Sequence, residues 1–270
     1  MISLKKNKKG ELVKATGIRS RASSYYKPNQ EETFKISRSK FSDFLKCQRC
    51  FYLDRVGGIV SPSTPGWSLN ETTDILLKKE FDAHRTEQKP HRTFAEFGLT
   101  DVVPFDHPDI DTWRDSLRGG LTYHLPNSNL ILHGGVDDIW INQTTQEIIL
   151  VDYKSQATTH AVIPRLYLSS YTHQDYKVQM DFYAYLLLMM GFRVSSTSYF
   201  YVCNADRQAE AFNGTMAFQE TLVPYPWQAD WIEEKLQNMI GVLNSATLPE
   251  SNEACENCAY ARQRARLERS

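Results

Sequence analysis

Asp152 and Lys154 close a run of strand-forming residues, Glu147 to Lys154 (EIILVDYK), and Asp137 lies one hairpin upstream. Asn129 to Trp140 (NLILHGGVDDIW) reads as the partner strand, and the polar stretch Asn142 to Glu147 (NQTTQE) as the turn. If Asn142 pairs with Glu147, counting outward places Asp137 opposite Asp152. Side chains alternate along a strand, so Lys154 shares a face with Asp152. Two opposed carboxylates with Cβ atoms about 5 Å apart repel each other unless a cation sits between them. Hard oxygen donors of this kind suit magnesium or manganese. The same acid-x-lysine spacing recurs at Glu87, Asp175 and Glu233, where it reads as a solvated charge pair. Only the triplet Asp152-Tyr153-Lys154 ends a buried-looking strand with an acid opposite it.

A second group with metal-ligand spacing is made of cysteines. Four of the five form two Cys-x-x-Cys pairs, Cys47 with Cys50 and Cys255 with Cys258, at opposite ends of the chain. Together they make a four-thiolate cage, for which zinc is the generic reading. Cys203 stands alone in a strand and reads as a buried hydrophobe. The start of the chain (MISLKKNKKG) lacks the apolar core of a secretion signal, which argues for a cytoplasmic protein and against disulfides.

The elements that must position these residues read as an α/β domain. A chain of 270 residues, 41% hydrophobic and 12% aromatic, can bury a sizeable core. Ser39 caps a short helix through Lys46, and after the loop Ser61 to Trp67 a second helix runs from about Asn70 to His84. Glu87 to Gly120, broken by Pro104 and Pro108, reads as irregular, a lid or an inserted subdomain. A helix from about Gln174 to Met190, stopped by Gly191, puts Gln179 and Tyr183 on one face. By spacing alone these two are better explained by core packing. Ser196 to Asn204 and Ala211 to Tyr225 read as strands, and Gln228 to Leu243 as an amphipathic helix before the cysteine tail.

Charge is distributed unevenly. The net value is only −1, yet residues 1–30 carry eight lysines and arginines against the single acid Glu11. This reads as a basic, flexible arm (1–35) ahead of a folded domain (36–270), either a phosphate contact or a solubilising tail. The longest apolar run, Phe182 to Phe192, is too short to span a bilayer.

Gly134-Gly135-Val136-Asp137, then Val151-Asp152-Tyr153-Lys154, then Gln179-Met180-Asp181-Phe182-Tyr183 resembles the core of the PD-(D/E)XK nucleases. The nearest branch is the RecB-type exonucleases, including the CRISPR spacer-acquisition nucleases. Cys47 to Leu53 (CQRCFYL) is similar to the Cys-Pro-x-x-Phe-Tyr-Leu motif of that branch, with Gln48 in place of the proline. The resemblance implies a restriction-endonuclease-like core: a mixed central sheet flanked by helices, its terminal segments joined at the four cysteines. It implies Mg²⁺- or Mn²⁺-dependent hydrolysis of DNA, single-stranded or with free ends, with possible protein partners of a repair or defence complex. By that resemblance Asp137, Asp152 and the backbone carbonyl of Tyr153 bind the metal, and Lys154, Gln179 and Tyr183 serve the reaction. Asp74, four residues after Asn70, stands where many of these enzymes place a ligating histidine, with Glu80 and Asp82 as competitors on the same helix. His133, on the face of Asp137, is a further candidate or a core histidine. The resemblance also favours an iron–sulfur cluster at the cysteines over zinc, although no third late cysteine follows Cys258. A second class remains: a catalytically idle DNA-binding or scaffold subunit of the same fold. The intact set of Asp137, Asp152 and Lys154 argues against it, and RNA stays open as a substrate.

Overall fold

A computed structural model describes residues 2–62, 66 and 68–269. Ser63, Thr64, Pro65 and Trp67 of the loop read from sequence lie outside them. In chain order the elements are β1 (Phe34–Ser37), α1 (Arg38–Lys46), α2 (Gln48–Arg55), α3 (Ser68–Glu87), β2 (Val102–Pro104) and α4 (Ile110–Arg114). There follow β3 (Leu121–His124), β4 (Leu130–Gly134), β5 (Asp138–Asn142), β6 (Ile148–Gln156), α5 (Pro164–Ser169) and α6 (Gln174–Met189). The chain continues with β7 (Ser198–Ala205), β8 (Phe218–Tyr225), α7 (Ile232–Leu243) and α8 (Glu256–Leu267). Among the described residues no helix is long and apolar enough to cross a membrane.

The chain forms two compact units. One holds the residues up to Gly66, His124–Ile131 and the residues from Glu233 onward; the other holds Trp67–Tyr123 and Leu132–Ile232.

The second unit is built on a mixed sheet of five strands in the order β2-β5-β6-β7-β8. Asn142 and Glu147 do close the hairpin, the N–H of Asn142 donating to the Glu147 carbonyl at 3.0 Å. The register then pairs Ile141 with Ile148 and Asp138 with Val151. β7 runs parallel to β6, so the chain crosses over between them through α5 and α6. Val151 and Tyr153 of β6 enter a core with Leu77 and Phe81 of α3, Trp140 of β5 and Tyr201 of β7. Phe81 is fully buried and its ring lies 5.4 Å from Trp140 and 5.7 Å from Tyr153. An aromatic cluster of this kind fixes α3 against the sheet, each side chain contributing about 1.5–3 kcal/mol by burial. The crossover helix α6 is anchored through Asp181. Its carboxylate accepts from the Tyr225 hydroxyl at 2.9 Å, the Gln228 N–H at 3.0 Å and the Trp231 indole at 3.1 Å.

Several readings of the sequence are corrected. Asn129 to Trp140 is not one strand: Gly135, Val136 and Asp137 break it into β4 and β5, which lie in different sheets. A Cβ at Gly135 would come within 2.7 Å of the Ser116 backbone, so the break passes where only glycine fits. Residues 87–120 are not irregular throughout, because β2 forms the edge of the main sheet beside β5 and α4 follows it. Pro104 is tolerated there because an edge strand can lack a ladder donor. The cap of α1 is Ser37, whose hydroxyl accepts from the Lys40 N–H at 3.4 Å. The strand read from Ala211 begins only at Phe218, and the cysteine tail ends in a helix, α8.

In the first unit the amino-terminal helices meet the carboxyl-terminal segment. The Tyr52 hydroxyl donates to the Ser245 carbonyl at 3.0 Å, and the Asn252 amide to the Lys46 carbonyl at 2.9 Å. Asp54 gathers three cations: Arg55 at 2.8 Å, Lys40 at 2.9 Å and Arg19. Residues 2–17 are exposed throughout.

Candidate active site

Asp152 sits in the middle of β6, and only 1% of its surface is exposed. β6 sends Val151 and Tyr153 toward α3, so alternation turns Asp152 and Lys154 toward α6. There Gln179 donates its amide to Asp152 Oδ1 at 2.6 Å, and the Lys154 ammonium pairs with Asp152 Oδ2. The ammonium also lies 4.5 Å from the centre of the Tyr176 ring, a cation–π contact. Of the acid-x-lysine triplets only this one is buried; the Glu87–Lys89 pair is more than half exposed.

Asp137 falls one step beyond the last ladder pair of β5, on the bend, opposite Asp152 in the continued register. Its Oδ2 accepts the N–H of Tyr153 at 2.8 Å. α3 delivers the third carboxylate. Asp74 Oδ2 is 3.0 Å from Lys78 Nζ, and the same ammonium is 3.9 Å from Asp137 Oδ1. Asp74 and Lys78 are four apart, hence on one helix face. Glu80 instead meets His91 at 2.9 Å and Arg92 at 3.0 Å, while Asp82 binds Arg85 and Arg114. His133 lies half-buried in β4, and the strand break removes the shared face that linked it to Asp137. Tyr183, one turn beyond Gln179, is 4% exposed on the buried side of α6.

The electrostatics of this cluster are unbalanced. Three carboxylates meet two ammonium groups. Burial, opposed by Lys154 and aided by Asp137, pushes Asp152 up to about 7. Burial, then Asp137, also raises Asp74. Burial works to lower Lys154, but Asp152 and Asp137 outweigh it and hold the ammonium charged. Asp74 Oδ1 is buried and has no hydrogen-bond partner among the described residues. A buried carboxylate oxygen in that condition is costly unless positive charge meets it. An all-oxygen set with surplus negative charge and an orphan oxygen fits a hard divalent cation.

Three neighbours were not identified from sequence. Lys78 was signalled by its i+4 spacing from Asp74, and Tyr176 by its place one turn before Gln179. Asp138 had no such signal. It is fully buried and directed away from Asp137, accepting from Arg114 at 2.7 Å, Arg85, the Trp140 indole at 3.3 Å and the Tyr153 hydroxyl at 2.8 Å. Tyr153 therefore grips both acids, Asp137 through its N–H and Asp138 through its O–H.

These positions all fall within a segment that a family model matches. The family model of the PD-(D/E)XK nuclease superfamily matches residues 62–263. The chain belongs to that superfamily. Its members are nucleases that use divalent metals, and the carboxylate cluster lies wholly within the matched segment. Among solved structures, a candidate exonuclease from Eubacterium rectale aligns over 88% of each chain with 13% identity and a TM-score of 0.40. No curated protein sequence matches the chain.

The other group of metal-ligating atoms lies in the first unit. Cys47, Cys50, Cys255 and Cys258 come together, all four as free thiols, and could hold a metal ion. Burial pushes the Cys50 thiol well up, and its cysteine neighbours add to this. For Cys47, burial is outweighed by backbone hydrogen bonds with Cys50 and Asn252, which bring it down to about 7. Cys203 is apart from them, buried in β7.

Proposed function

We propose that this protein is a magnesium- or manganese-dependent deoxyribonuclease of the RecB-type branch, degrading DNA from single strands or free ends in repair, recombination or defence. The observation that carries the reading is the run of charges in which Lys78 links Asp74 to Asp137, opposite the Asp152–Lys154 pair, with a buried Asp74 oxygen unpartnered among the described residues. Asp74, Asp137, Asp152 and the Tyr153 carbonyl would hold the cation, which supplies polarisation of the scissile phosphate and a lowered pKa for water.

The chain's own residues account for the rest. Lys154 stays protonated among the acids and neutralises charge that develops on the phosphate as the bond breaks. Tyr176 limits its swing, and Gln179 fixes the Asp152 carboxylate by donating to one oxygen. Tyr183 supports that helix face from the buried side. The exposed basic residues Lys5, Lys6, Lys8 and Lys9 contact phosphates of the bound strand.

The test is cleavage of end-labelled single- and double-stranded DNA with magnesium, manganese or EDTA, using the native chain and Asp152→Ala. Metal-dependent shortening from an end that Asp152→Ala abolishes is expected. Equal cleavage by the variant would remove the assignment, and binding without cleavage in any metal would favour the idle scaffold. Deleting residues 2–30 should weaken DNA binding and flatten its salt dependence.

A further inference from the structure

The four cysteine sulfurs are spaced for one ion. Cys50 Sγ is 3.4 Å from Cys258 Sγ and 3.5 Å from Cys255 Sγ, and Cys47 Sγ is 3.8 Å from Cys258 Sγ. All four lie within 4.8 Å of one another. Four thiolates about 2.3 Å from a central tetrahedral ion stand about 3.8 Å apart. An iron–sulfur cluster distributes its cysteines over several irons joined by inorganic sulfide, so the outermost thiolates are separated by the whole core. A group confined within 4.8 Å leaves no room for that core. The cluster that the family resemblance implied does not fit these residues.

The local backbone agrees with a closed single-ion site. Cys47 is the N-cap of α2 and Cys255 the N-cap of α8, while Cys50 and Cys258 fall in the first turns of the same two helices. Both helix N-termini therefore present their positive ends to the sulfurs, which favours thiolate. Cys47 and Cys258 are buried, and Cys50 and Cys255 are half-buried on the wall of a cleft of about 550 Å³ that also holds Lys40, Lys46 and Asn252. That cleft gives an ion a route in. Four soft donors with no open position describe a structural centre, and such a donor set selects zinc over magnesium.

We propose that Cys47, Cys50, Cys255 and Cys258 hold a single tetrahedral zinc ion that clasps α1 and α2 to α8. The ion closes a loop of roughly two hundred residues, so its binding energy is folding energy. This site does not depend on the nuclease reading, and its test needs no activity assay.

The full chain is produced anaerobically with iron and zinc both supplied, then assayed for metal, acid-labile sulfide and colour. One zinc per chain, no sulfide and a colourless protein are expected. Replacement by cobalt should give the visible ligand-field absorption of a tetrahedral thiolate complex. Cys258→Ser and Cys255→Ser should lose the ion, and Cys203→Ser should keep it. If the first two variants fail to fold, the metal content and cobalt spectrum of the native chain decide the matter alone. A brown protein containing iron and sulfide would overturn the proposal. So would a folded, metal-free protein in which the four clustered thiols react with a thiol reagent.

Discussion

The carboxylates around Asp152 and the thiols around Cys50 are both groups of side chains of kinds that can bind metals, but the chain assembles them by different means. Asp74, Asp137 and Asp152 ride on α3, a strand break and β6, and the aromatic core around Phe81 packs α3 against the sheet. The cysteines come from two short helices near opposite ends of the chain, tied by a few hydrogen bonds such as Asn252 to Lys46. The acids spend stability: burial and mutual repulsion hold Asp152 and Asp74 above the usual carboxylate range. The cysteines, once they share an ion, add stability. A reactive centre needs a scaffold strong enough to force like charges together, whereas a staple needs only ligands that can reach one point.

The largest effect that could break this comparison is on catalysis. Asp152→Asn is expected to lower cleavage by several orders of magnitude while leaving the melting temperature in EDTA unchanged or higher. The sign follows from linkage. The Asp152 carboxyl is raised from 3.8 to about 7, so the folded state binds the extra proton and its stability falls as pH rises through that interval. Asparagine removes the dependence. A melting temperature well below that of the native chain would show that Asp152 holds the fold together.

Cys258→Ser should behave in the opposite way, with a loss of several kcal/mol in stability. Cys203→Ser, in the core of the other unit, should change stability without changing metal content. Chemical denaturation with parallel metal analysis distinguishes the two.

Arg114→Met sharpens the contrast within the nuclease unit itself. It leaves the buried Asp138 with one charged partner fewer, and breaking a buried pair of this kind costs about 3–5 kcal/mol. Because Tyr153 joins Asp138 to Asp137, the surviving folded protein should also cleave more slowly at unchanged DNA affinity.

The smallest effect concerns Asp54 in the cysteine unit. Burial alone would raise it, but Arg55, Arg19 and Lys40 together hold it down at about 2. Its contribution is present above pH 3.8 and is lost as pH falls toward 2. A tenfold change in proton affinity is worth about 1.4 kcal/mol, so Asp54→Asn should cost about 1–2 kcal/mol at neutral pH. It should also remove that acid dependence. Urea titrations at pH 7 and pH 3 check both.

The hairpin register, the pairing of Lys154 with Asp152, the helix carrying Gln179 and the meeting of the two Cys-x-x-Cys pairs were legible in the amino-acid sequence. Each depends on short-range periodicity or on a donor pattern with few other uses. The mixed α/β architecture followed from the same alternation of strand and helix patterns. What the sequence could not state was which of several similar residues faces which neighbour. Asp74 rather than Glu80 or Asp82 reaches the carboxylates because α3 is rotated by the burial of Leu77 and Phe81. Asp138 rather than Asp137 is clamped by arginines because the strand break at Gly135 sets which of the two turns inward. Val102–Pro104 becomes an edge strand through pairing with β5, a partner about forty residues away. The choice between one ion and a cluster rests on sulfur spacings that only the packed helices define. Local pattern determines which residues can do chemistry; side-chain direction and long-range distance, set by the core, decide which of them meet.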